Sequence, residues 1–210
     1  MNGRLRKFWR PFFFFIMKKR ISIEQQIPRI LGAGLIWAVL ELFFSKLLKN
    51  WQPALFSILM PFFIAIFIML AKRFAPLKGS IMLMGIVAAT IKLFHSGMVF
   101  HGPFIAILNE AFLAEIIFLI VGLRFVADAL VGVSLEMYSA FHPLLTRGMF
   151  CNSIHLVKFK RMVASLIDIP QDTISKVTII SIYLMCHLLA GLLAAFIVKI
   201  ILMQQRYKQN

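Results

Sequence analysis

The sequence predicts an all-α protein, a polytopic membrane bundle of about six transmembrane helices. Three observations carry this. The 210-residue chain is 61% hydrophobic and 15% charged, whereas a soluble domain is nearer half apolar and about a quarter charged. The apolar residues gather in runs long enough to cross a bilayer, which takes about 20 helical residues. The 23 Lys and Arg cluster at the start and in the junctions between those runs. Lipid cannot satisfy backbone N–H and C=O groups, so helix is the element such runs must form.

Residues 1–25 read as a basic and apolar N-terminal segment. Phe12-Phe13-Phe14-Phe15-Ile16-Met17 is too short to span and is followed by Lys18-Lys19-Arg20. It lacks a small-residue cleavage site, which argues against a removable signal peptide and for a short interfacial anchor. The alternative is a start at Met17, with the residues before it an upstream extension.

Residues 26–210 read as one transmembrane bundle. The first span covers about Ile30–Leu48, with Trp51 at its far interface. The second, about Pro53–Ala71, is stopped by Lys72-Arg73. The third is about Gly79–Leu93. The fourth is about Gly102–Val121, with Pro103 suited to a first helical turn. Arg124 precedes the fifth, about Phe125–Leu145, and the last covers about Val177–Met203. The basic loop at about 146–176 contains Ile154–Ile169, an amphipathic basic helix suited to a membrane surface.

With the N-terminus inside, the inner segments carry 15 Lys and Arg and the outer ones 8. The positive-inside rule therefore favours both termini inside. The last loop, holding Arg147, Lys158, Lys160, Arg161 and Lys176, runs against the rule. A five-span alternative places that loop inside and the tail outside. The net charge of +15 gathers at junctions and not on one basic face. It fits anionic lipid headgroups and argues against nucleic acid. Cys151 and Cys186 fit no metal or redox spacing.

Ionised side chains inside a membrane are costly and persist where they face a cavity or a partner. Lys92 and His95 share a helix face, His101 follows, and Asn109-Glu110 lies within the fourth span. Asp128, Gly132, Glu136 and Ala140 recur every four residues, which makes one stripe turned towards polar groups. The expected substrate-binding set is thus Lys92, His95, His101, Asn109, Glu110, Asp128 and Glu136. Structural readings stand beside it. Lys92 either snorkels to the interface or pairs with Glu110 or Glu115. Glu115 reads as structural, and Glu41 as a satisfied carboxylate near an interface. Gly34 and Ala38 share a face on which another helix can approach closely. That face serves either internal packing or docking onto a separate membrane protein. Gly85 and Ala89 read as internal packing.

Serine-protease GxSG, HExxH and Walker A signatures are missing. No catalytic residue, metal or cofactor is expected, and active transport by this chain would draw energy from a partner or an ion gradient.

From about Gln26 onward the chain resembles a substrate-binding S-component of an energy-coupling factor (ECF) transporter. The likeness rests on size, the six expected spans and the Gly34-xxx-Ala38 motif, where the family has Ala-xxx-Ala. It rests also on Pro76-Leu77-Lys78-Gly79-Ser80-Ile81 and Gly85-Ile86-Val87-Ala88-Ala89-Thr90-Ile91-Lys92. The resemblance implies a receptor in a bacterial cytoplasmic membrane that captures a vitamin-like solute. It would dock through its first helix, at Gly34 and Ala38, onto a transmembrane coupling protein driven by two cytoplasmic ATPases. The long basic loop and the N-terminal segment depart from the family pattern. The alternatives are a membrane scaffold or assembly protein, and a membrane enzyme acting on a lipid or isoprenoid with Glu110, Asp128 or Glu136 holding a metal.

Overall fold

Each expected apolar run is a helix in the computed structural model, which describes residues 22–51, 55–98, 102–147 and 154–207. Among them, α1 is Ile23–Trp51, α2 Phe56–Phe74, α3 Ser80–His95 and α4 Gly102–Val121. Then come α5 (Phe125–Arg147), α6 (Ile154–Leu166), a 3-10 turn at Gln171–Thr173 and α7 (Lys176–Tyr207). No strand occurs among the described residues. The N-terminal segment through Ile21, His101 and Cys151 lie outside them.

Among the described residues four helices are long and apolar enough to cross a membrane: Ile23–Leu47, Phe56–Phe74, Gly102–Val121 and Lys176–Gln205. The protein is thus an integral membrane helix bundle. α3 is apolar but has only 16 residues, about 24 Å of helix. α5 has 23 residues, and it carries Asp128 and Glu136.

Local chemistry sets the turns. Lys72 and Arg73 close α2, and Gly79 takes a left-handed φ of 82° just before α3. α4 ends where Gly122 adopts φ 78°, its N–H bonding back to Phe118 O at 3.0 Å. Glycine is the residue that reaches this conformation without steric cost.

α2 is the central helix, in contact with α1, α3, α5 and α7. Around it the sequence of neighbours is α1, α3, α4, α5, α7. The interior mixes alanines and glycines with a few large side chains such as Trp37, Ile64, Met69 and Met84, and the outside is rich in large apolar residues. α4 turns Ile107, Ala111, Ala114 and Phe118 inwards and leaves Ile105, Phe112, Leu119 and Ile120 exposed. Lipid is as apolar as leucine, so burying leucine gains little, and close backbone packing across small residues gains more.

The tightest contact joins α5 and α7. Gly132 and Gly191 meet backbone to backbone, so a Cβ built on Gly191 would lie 2.6 Å from the Gly132 carbonyl. Gly34 and Ala38 are likewise buried. A Cβ on Gly34 would meet Val87 Cβ at 2.7 Å and Met84 O at 3.0 Å, both on α3. This corrects the docking expectation: the Gly34–Ala38 face is an internal seam between α1 and α3, and does not face outwards. Gly85 packs on Ala111 of α4.

The helices alternate in direction. Arg29 near the start of α1 reaches Phe74 O at the end of α2, at 3.2 Å. We call this the proximal end; the distal end is where α1 finishes. α6 sits distally, its Leu156, Phe159 and Ala164 clustered with Ile58, Ala140, Ile179 and Tyr183. Part of its apolar face is therefore covered by protein, while Leu166 at its end and Arg161 are exposed.

Candidate functional site

The polar side chains of the bundle fall into a proximal and a distal layer, and the two are satisfied differently. In the proximal layer Glu115 Oε1 accepts from Lys72 Nζ at 2.6 Å and from Gly79 N–H at 2.7 Å. Its Oε2 accepts from Ile81 N–H at 2.9 Å. The carboxylate thus ties α4 to α2 and caps the N-terminus of α3, where backbone N–H groups have no helical partner. Lys72 also donates to Leu77 O at 2.9 Å and Ser80 Oγ at 3.3 Å. Beside it, Arg73 donates to Asp128 Oδ2 at 2.6 Å and to Met69 O at 2.7 Å. These acids, each matched by a cation, hold helices together.

The distal layer has fewer cations. Lys92 Nζ lies 3.6 Å from Glu41 Oε2 and 3.4 Å from Glu41 O, which joins α3 to α1. Glu136 on α5 meets His187 Nδ1 on α7 at 2.7 Å, with both side chains fully enclosed. Glu110 on α4 is 9% exposed. It has no ion pair among the described residues, and its Oε2 has no hydrogen-bond partner. The field of Glu41 reaches Glu110, and that of Glu110 reaches Glu136.

Next to Glu110, Asn109 Nδ2 donates to Tyr138 Oη at 3.0 Å. Tyr138 Oη in turn lies 3.2 Å from His142 Nδ1. This polar ladder runs up the α4–α5 face, and Asn109 is exposed there. Beneath lies Trp37, one turn before Glu41 on α1. Trp37 is fully buried, and its Nε1–H has no partner. Gly85 is packed on both Trp37 and Ala111, the residue after Glu110.

The expected substrate-binding set therefore divides. Lys92, Asn109, Glu110 and Glu136 come together in the distal layer. Lys92 pairs with Glu41, and with neither Glu110 nor Glu115, the partners that the sequence offers as the alternative to snorkelling. Asp128 is a correction: its carboxylate belongs to Arg73 at the other end of the bundle. His95 is also a correction. It is exposed in the last turn of α3 and makes no polar contact with the layer among the described residues. His101 lies outside the described residues.

The Asp128–Ala140 stripe does turn inward, with Asp128 1%, Glu136 0% and Ala140 1% exposed. Two partners are not evident in the sequence: His187 and Ser57, which accepts from Tyr183 Oη at 2.9 Å. The signal open for His187 is Tyr183 four residues before it, two polar rings on one face of an apolar helix.

A carboxyl group with a free oxygen, followed along the helix by an amide–phenol–imidazole ladder, can hold a cationic group and orient its polar neighbours. Glu110, Asp128 and Glu136 do not converge, and among the described residues no three His, Cys, Asp or Glu form a set able to hold a metal. Comparisons of the chain with family models, with curated proteins and with solved structures return no match.

Proposed function

We propose that this protein is a membrane-embedded capture subunit that binds a small, vitamin-like solute carrying a cationic group in its distal layer. The observation behind this reading is Glu110. Of the acids buried in the helices, it alone among the described residues has no cationic or imidazole partner. A buried carboxylate left in that condition is strongly unfavourable, and a solute cation removes the penalty. Since Lys92 is engaged by Glu41, a cation suits the layer better than an anion does.

The charge bias of the loops favours an N-terminus inside and so a distal layer at the outer face, and the resemblance to ECF S-components favours a bacterial cytoplasmic membrane. The resemblance to ECF S-components adds a transmembrane coupling protein and its ATPases as partners. The docking face on α1 is then the exposed apolar stripe of Ile27, Leu31, Leu35, Val39 and Phe43, because Gly34 and Ala38 face inwards. A metal-dependent lipid enzyme fits less well, as Asp128 lies at the opposite end from Glu110.

Native mass spectrometry of the detergent-purified protein tests the reading. A solute retained at one-to-one stoichiometry, and lost in Glu110→Gln, is the expected result. Absence of any retained solute, or equal retention by the variant, would count against it.

A further inference from the structure

The Glu136–His187 pair has features that solute capture at Glu110 does not use. Both side chains are completely enclosed, and Nδ1 sits 2.7 Å from Oε2. Glu136 Oε1 and His187 Nε2 have no hydrogen-bond partner. α5 is packed against α2, α4 and α7. From those helices the titratable groups that interact electrostatically with Glu136 are Glu110 on α4 and Tyr183 on α7, and Cys186 adjoins His187 in the chain. The Tyr183 ring stands edge-on to His187 at 4.6 Å, and its hydroxyl is tied to Ser57 of α2 at 2.9 Å. Phe159 of α6 lies edge-on to Tyr183 at 5.2 Å, so aromatic rings close the distal side. The charges of α2, Lys72 and Arg73, are engaged at the proximal end.

With an ionised carboxylate and a neutral imidazole, the pair holds one uncompensated negative charge, which an apolar interior strongly disfavours. One added proton makes the pair neutral overall, whether it resides on Glu136 or on His187. We propose that Glu136 and His187 hold one exchangeable proton between them, and that its retention is linked to the charge at Glu110. The linkage rests on the reading of Glu110 as the partner of the solute, whereas the proton itself does not. Whenever Glu110 is ionised, its negative charge favours the proton on the pair. A cation bound at Glu110 cancels that charge, so the pair then gives up its proton to water, by breaking an O–H or N–H bond, at a lower pH than before. By reciprocity, a proton on the pair weakens cation binding by the same factor.

The test uses the full chain in detergent, without solute. Infrared spectroscopy reports protonated carboxyl groups, and NMR of nitrogen-15-labelled histidine reports the ring state of His187. At neutral pH the wild type is expected to show either a protonated Glu136 or a charged His187. In the Glu110→Gln background the signal should persist and should vanish on adding Glu136→Gln. His187→Gln serves as a second route should that double variant not fold. An ionised Glu136 beside a neutral His187 in the wild type overturns the proton. For the linkage, Glu110→Gln stands in for a neutralised Glu110, and the pair should lose its proton at a lower pH than in the wild type. An unchanged midpoint overturns the linkage while leaving the proton in place.

Discussion

Glu110 and Glu115 stand five residues apart on one helix, and they meet opposite surroundings. Glu115 accepts three hydrogen bonds, from Lys72, Gly79 and Ile81. Glu110 has an oxygen with none. The same residue type on the same element is structural in one case and available in the other. About 7.5 Å of rise along the helix, together with a rotated face, accounts for the difference.

The two acids should respond differently to the same substitution. Glu115→Gln leaves Lys72 buried without its charge partner, and breaking a buried pair costs about 3–5 kcal/mol. Thermal unfolding in detergent should show a large loss. Glu110→Gln removes a buried carboxyl group that has no cationic partner among the described residues and should leave stability unchanged or raised. A similar loss in both variants would mean that Glu110 also has a structural partner.

The sequence carries the helices more fully than the site. Apolar runs between Lys and Arg junctions locate α1 to α5 and α7, and amphipathic spacing locates α6. Spacing also says which residues share a face, and the Asp128–Ala140 stripe does turn inward. It does not say which helix that face meets. Asp128 and Glu136 are eight residues apart, about 12 Å along the axis, so one stripe reaches Arg73 at one end and His187 nearer the other. Gly34 and Ala38 show the same limit. Small residues at helical spacing mark close approach, but the approaching helix here is α3 of the same chain.

That seam yields a prediction. Gly34→Ala places a methyl group against Val87, and overpacking of this kind costs about 1–3 kcal/mol. Gly34→Ala should lower the unfolding temperature, and Val87→Ala in the same chain should recover part of the loss. Recovery is the informative arm, since an outward-facing Gly34 would show no coupling to Val87.

At the α5–α7 crossing no side chain can yield. A Cβ on Gly191 would meet the Gly132 carbonyl carbon and oxygen at 2.6 Å and Val133 Cα at 2.7 Å. Gly191→Ala should therefore cost at least the upper end of that range, about 3 kcal/mol, and broaden the size-exclusion profile. Gly32→Ala is the control, because nothing lies within 4 Å of its added Cβ. It should be neutral or stabilising by up to about 1 kcal/mol.

Tyr138 links Asn109 to His142 through one hydroxyl. Tyr138→Phe keeps the ring and removes that link. A hydrogen bond of this type contributes about 1 kcal/mol net, so stability should fall only slightly. Retention of the native solute in mass spectrometry should fall more, because Asn109 loses its fixed orientation. Unchanged retention would place the solute away from the α4–α5 ladder.

The partner of Lys92 decides how much charge the distal layer has to spare. Its Nζ is 3.6 Å from Glu41 Oε2, and the two side chains are 16% and 13% exposed. Their coupling should lie between that of an exposed pair, about 0.2–1 kcal/mol, and that of a fully buried one, about 3–5 kcal/mol. A double-mutant cycle in thermal unfolding measures it. Lys92→Ala and Glu41→Ala should be strongly non-additive, the double variant recovering stability lost in the singles. Lys92→Ala and Glu110→Ala should be close to additive. The reverse pattern would return Lys92 to Glu110 and remove the reason for placing a solute cation at Glu110.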